Sequence, residues 1–154
     1  MSPDGSTFLF RSAPRGLDRK RLRLFQDTLT TLLTSGRAFT CLLTSDTELR
    51  RLNNTFLGHD YATDVLSFPA LEGEESLGDL AISATRAKAQ AAEFGHAIEA
   101  EIEILMLHGA LHLLGHDHET DKGAMRRLES RWRQKLSLPA GLIERTRRCT
   151  SPSS

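Results

Sequence analysis

Apolar positions recur along this chain with two alternating periods. Residues 7–10, Thr-Phe-Leu-Phe, form a short run with strand character, and Pro14-Arg15-Gly16 breaks it. Over residues 17–33 the apolar positions Leu22, Phe25, Leu29, Leu32 and Leu33 fall at helical spacing, and Ser35-Gly36 stops the pattern. Residues 38–43 predict a second strand, and Ser45 or Asp46 predicts the cap of a helix carrying Leu49, Leu52 and Phe56 on one face. After a loop at 58–61, residues 64–69 predict a strand ended by Pro69, which favours an edge or a strand terminus. A turn at 72–75 leads to a fourth strand at 77–82. Ser83 then caps an alanine-rich helix to Phe94, closed by Gly95; a helix over 98–114 follows whose residues Ile104-Leu105-Met106-Leu107, Leu111, Leu113 and Leu114 read as buried. A last helix over 121–136 sets Met125, Leu128, Trp132 and Leu136 on its inner face. The order predicts an α/β (α+β) fold: a four-stranded mixed sheet with about five helices packed on it.

The apolar helix carries the chemistry. Four of the six histidines fall between His108 and His118. His108 and His112 are four residues apart, hence about 40° apart on one helix face and one turn above each other. Gly115 stands where a helix ends, since glycine accepts the left-handed conformation there, and the turn can return His118 to the same point. Three imidazoles on one ion with a position left open is the plan of a catalytic zinc site. The spacing is that of the metzincin proteases, but Gly109 replaces the glutamate that serves them as general base, so peptide hydrolysis is not expected. His116 points elsewhere if the other three converge.

Composition narrows the rest. A chain of 154 residues is long enough for one cored domain, expected over 1–144 with a disordered tail at 145–154. No apolar run is long enough for a bilayer, and the start lacks the basic and apolar regions of a signal peptide. Cys41 and Cys149 do not make a disulfide framework. A cytoplasmic protein is expected, with no membrane and no dinucleotide partner. Formal net charge is zero, yet arginines and lysines crowd residues 11–23 and 126–135 while acidic residues gather between Glu72 and Asp121. Segregation of this kind either makes a basic face on a neutral protein or merely solvates helices.

The run His108-Gly-Ala-Leu-His112-Leu-Leu-Gly-His-Asp-His118 resembles the H-G-x-L-H-L-x-G-Y-D-H signature of the YbeY family of bacterial rRNA-maturation endoribonucleases. Leu52-Asn53, the run Thr63-Asp64-Val65-Leu66-Ser67-Phe68-Pro69 and Gly78-Asp79-Leu80 resemble a second signature of the family, in the same order. The resemblance implies a zinc-dependent, single-strand-selective endoribonuclease. Its role would be 16S rRNA 3′-end maturation and late ribosome quality control, with rRNA and the ribosome or its small subunit as partners. It implies that His108, His112 and His118 hold one Zn2+ and serve as the catalytic group. Asp117 and Asp79 either orient those imidazoles or cap turns. Attack by activated water and attack by the neighbouring 2′-hydroxyl both stay open. Two positions depart from the pattern: His116 replaces a tyrosine, and Leu57 replaces an arginine in the run Phe56-Leu57-Gly58-His59-Asp60. An arginine there would stabilise charge developing on phosphate, which leucine cannot do, so either another cation substitutes, with His59 a candidate, or RNA binds differently around Leu57 and His59, or the activity is weakened. The rival readings are a metal hydrolase of another class and a non-enzymatic ribosome assembly factor with a mainly structural zinc.

Overall fold

The computed structural model describes residues 6–57, 63–116 and 123–138, with the backbone alone at Leu57. Four strands, β1 (Thr7–Phe10), β2 (Phe39–Thr44), β3 (Val65–Pro69) and β4 (Gly78–Ser83), form one sheet in the order β1-β2-β4-β3. β1, β2 and β4 run parallel, and β3 pairs antiparallel along the outer edge of β4. The mixed sheet read from the sequence is therefore present, and the strand that Pro69 ends is an edge strand. Pro69 sits opposite Gly78, whose φ of +136° and closeness to the Phe68 carbonyl leave no room for a Cβ.

Five helices connect and cover the strands: α1 (Arg19–Leu32), α2 (Asp46–Leu57), α3 (Ala84–Phe94), α4 (Ile98–Leu113) and α5 (Ala124–Lys135). Their starts follow local chemistry. The hydroxyls of Ser45 and Ser83 accept the Glu48 and Arg86 amides at 3.1 Å, satisfying donors that the first helical turn leaves unpaired. Asp18 does the same for Arg21 in α1.

Strand alternation gives the sheet two different faces. One carries Phe8, Phe39, Cys41, Leu43, Leu80 and Ile82, and α4 packs into that core, touching β3, β4, α1, α3 and α5. Burial on every side explains why α4 is apolar almost all round rather than amphipathic. Cys41 is a free, buried thiol whose ionisation burial pushes well up, so it is inert packing. The two acidic residues in the first half of α4 that are buried have partners. Glu103 takes two hydrogen bonds from Arg21, which raises the Arg21 guanidinium above its ordinary value, and Glu101 meets His96 at 2.8 Å. The other sheet face holds Leu49 of α2 against Leu66 and Ala81, leaving Leu9 and Phe56 exposed along an apolar groove of about 440 Å3. No helix among the described residues is long and apolar enough to cross a membrane.

Candidate metal centre

α4 ends as the sequence predicts. Gly115 has φ +98°, its amide bonds the His112 carbonyl at 2.9 Å, and the His116 amide bonds the Leu111 carbonyl at 3.1 Å. This paired closure satisfies the last carbonyls and turns the chain sharply away from the helix axis. The residues it leads to, Asp117 and His118, lie outside the described residues, as do His59 and the side chain of Leu57.

The two helical histidines face each other. Their Nε2 atoms stand 3.1 Å apart, with ring centroids at 4.7 Å and planes inclined by 71°. Two nitrogens each 2.0–2.1 Å from a shared tetrahedral ion are separated by about 3.3 Å, so the pair is already spaced for one. The Nδ1 of His108 meets Glu129 Oε2 at 2.6 Å, and the Glu129 side chain is fully buried. A carboxylate is acceptor-only, so Nδ1 carries the proton and donates; the lone pair of His108 is thereby placed on Nε2. A carboxylate behind a histidine is the usual support of a metal-ligating imidazole. Among the described residues no three potential ligands come together, so the structure brings together two of the three expected, His108 and His112.

Glu129 was not read from the sequence, although a signal existed. It lies on α5 four residues after buried Met125 and three before Trp132, a carboxylate on the face that should be apolar. Asp79 is a correction. Of its two expected roles, orienting an imidazole or capping a turn, the first does not fit its place: it lines the apolar groove with Thr40, Leu42 and Phe68 on the far side of the sheet from α4. Strand alternation aims Leu80 at α4 and therefore turns Asp79 away.

The imidazoles open onto a cleft of about 360 Å3 bounded by Thr63, Asp64, Val65, Leu66, Ser67 and Pro69 at the β3 edge. The second family-like run thus forms the wall opposite the histidines. Ser67 ties that wall to the helix by donating to the Gly109 carbonyl at 3.3 Å, and Gln90 donates to Asp64 at 3.3 Å. Gly109 itself allows the close approach: a Cβ there would stand 2.7 Å from Leu80 Cδ2 and 3.3 Å from Val65 Cγ2. A glutamate at this position, as in the zinc proteases, would have to displace buried Leu80.

A mixed four-stranded sheet crossed by a buried helix, with paired imidazoles at the sheet edge, defines an α/β protein built around a cleft that two histidines face. The comparisons with known proteins go further. The model of the family described as Endoribonuclease YbeY matches residues 16–137. A Solibacter usitatus relative named Endoribonuclease YbeY is 60% identical over 144 residues, covering 94% of this chain and 97% of that protein. A Helicobacter pylori relative of the same name is 44% identical over 125 residues, covering 80% and 89%. The solution structure of TM1509 from Thermotoga maritima aligns with a TM-score of 0.52 at 31% identity, over 75% of this chain and 77% of that one. The chain belongs to the YbeY endoribonuclease family.

Proposed function

We propose that this protein is a zinc-dependent endoribonuclease cutting single-stranded RNA, with His108, His112 and His118 holding one Zn2+. The proposed substrate is small-subunit rRNA and the proposed setting the cytoplasm, with the ribosome or its small subunit as partner. The observation that carries the metal reading is the opposed Nε2 pair at 3.1 Å backed by buried Glu129. Family membership supports the RNA reading.

The chain's own residues have distinct tasks in this reading. Glu129 keeps the proton on His108 Nδ1 and the ring in one orientation, so its Nε2 lone pair needs no rearrangement on binding. His112 supplies the second nitrogen from one turn further along the same rigid helix. Thr63, Asp64 and Ser67 offer polar groups along the facing wall, where a ribose or phosphate would sit. Bound zinc would supply Lewis acidity toward water and phosphoryl oxygen near neutral pH. Gly109 and Leu80 close the helix–sheet contact, leaving no general base of the protease type.

The test is cleavage of a labelled unstructured RNA by protein stripped of metal and then restored with one equivalent of zinc. Activity that disappears and returns is expected. Undiminished activity in the stripped protein would remove the metal from the mechanism. Metal-replete protein that binds ribosomal subunits but cleaves no RNA would leave an assembly factor.

A further inference from the structure

We infer that the outer face of α5 is a docking groove for the RNA backbone, engaging nucleotides a short distance along the strand from the cleft. This rests on the RNA reading above and adds where the strand runs. Arg126, Arg127, Ser130, Arg131 and Gln134 line a cleft of about 300 Å3 on that helix. Every lining residue is a hydrogen-bond donor, and three are cations with the planar fork that suits phosphate.

Three features separate this surface from an ordinary solvated helix face. First, its charge is one-sided within the helix. α5 carries Arg126, Arg127, Arg131, Arg133 and Lys135 against one acid, Glu129, and that acid is turned inward and fully buried on His108. Second, Arg126, Arg127 and Arg131 take part in none of the ion pairs among the described residues, whereas Arg11, Arg21, Arg51 and Arg86 each do. Third, Arg126 Nε is shut off from solvent and has no hydrogen-bond partner among the described residues. A buried donor of this kind costs free energy unless something accepts from it. A phosphate oxygen would, once the Arg126 side chain turns its Nε into the groove. The whole chain has zero net formal charge, so this concentration of cations is a local property of the fold.

Position links the groove to the cleft. Glu129 lies among the groove residues in sequence but points the other way, since residues two before and two after it are each turned by about 160° around a helix of 3.6 residues per turn. The helix that orients His108 from its inner side therefore offers arginines on its outer side, about one helix diameter (10–12 Å) away. That distance is within the reach of a few nucleotides of single strand. A strand held there would have its register fixed by contacts that read no sequence.

The probe is a fluorescein-labelled unstructured 16-nucleotide RNA, its binding to the zinc-loaded full chain followed by anisotropy across a potassium chloride series. The variants are Arg127→Gln/Arg131→Gln and, separately, Arg126→Gln; Lys88→Gln on exposed α3 is the charge-matched control. The double variant should bind about tenfold more weakly and lose about 1.4 from its salt slope, the value for two phosphate contacts on a single strand. Arg126→Gln should lose about 0.7, and Lys88→Gln should match wild type. Zinc content and the thermal melt report whether each variant is folded. Should the double variant not fold, the single variants Arg127→Gln and Arg131→Gln are measured instead, each expected to lose about 0.7. Wild-type affinity and slope in folded Arg126, Arg127 and Arg131 variants would overturn the groove while leaving RNA cleavage at the histidines intact. A wild-type protein that neither binds nor cleaves the RNA would overturn both readings.

Discussion

At the scale of the residue, the centre depends on one buried hydrogen bond. Glu129 Oε2 and His108 Nδ1 are 2.6 Å apart with both side chains out of solvent, so replacing the acid removes the charged acceptor in contact with that ring. Glu129→Gln keeps the shape and an acceptor oxygen but loses the charge. Zinc affinity should fall by about 10–100-fold, measured by competition with a chromophoric chelator, while the fold persists. Unchanged affinity would mean that Glu129 serves packing alone. The two nearby histidines on either side of the helix end should behave differently. His112→Ala should leave less than about one equivalent of zinc bound, because one of three ligands is gone, whereas His116→Ala should retain it. Elemental analysis of both variants distinguishes them, and equal zinc loss in the two would refute the ligand assignment.

At the scale of the element, α4 is the piece on which the molecule is arranged. Its position against β3 and β4 depends on the missing side chain at Gly109, over which Leu80 and Val65 close. Gly109→Ala sets a gain of about 1 kcal/mol in helix propensity against about 1–3 kcal/mol of overpacking. The balance is destabilising, and the melting temperature should fall by a few degrees, as about 2–4 °C accompanies each kcal/mol in a chain of this size. A higher melting temperature would show that Leu80 yields freely. The same contact bears on specificity of chemistry. No peptidase activity is expected against an unstructured protein substrate, and metal-dependent proteolysis by the pure protein would contradict the role given to Gly109.

At the scale of the whole molecule, the two sheet faces divide the work. One face builds the core under α4 and brings α5 behind His108; the other leaves an apolar groove that includes Asp79. An ion binding only the folded chain stabilises it by mass action, by about 2.7 kcal/mol when free ligand is 100 times the dissociation constant. Zinc should therefore raise the melting temperature of the wild-type protein and leave that of His112→Ala nearly unchanged, a comparison made by calorimetry with and without the ion. Equal shifts in both proteins would place the binding elsewhere.

Much of this was legible in sequence because it is local. Ser83 and Gly95 bracket α3 at the residues read for them, Gly115 closes α4, and Pro69 ends an edge strand, since caps, left-handed turns and missing amides act within a few residues. The i, i+4 spacing of His108 and His112 likewise fixes their meeting, because helix geometry alone brings those rings together. What the sequence could not decide is which distant residues stand behind them. Glu129 is 21 residues from His108 and reaches it only because α5 packs against α4, while Asp79, beside a family-like Leu80, is turned away by a two-residue strand period. The arginines of α5 were visible as a charge run, but the run had two meanings. The packing of Glu129 inward, which turns the helix's one acid away from Arg127 and Arg131, is a tertiary fact that separates them. Local sequence sets backbone conformation through short-range sterics and hydrogen bonding; the partners of a buried charge are set by which surfaces the core brings together.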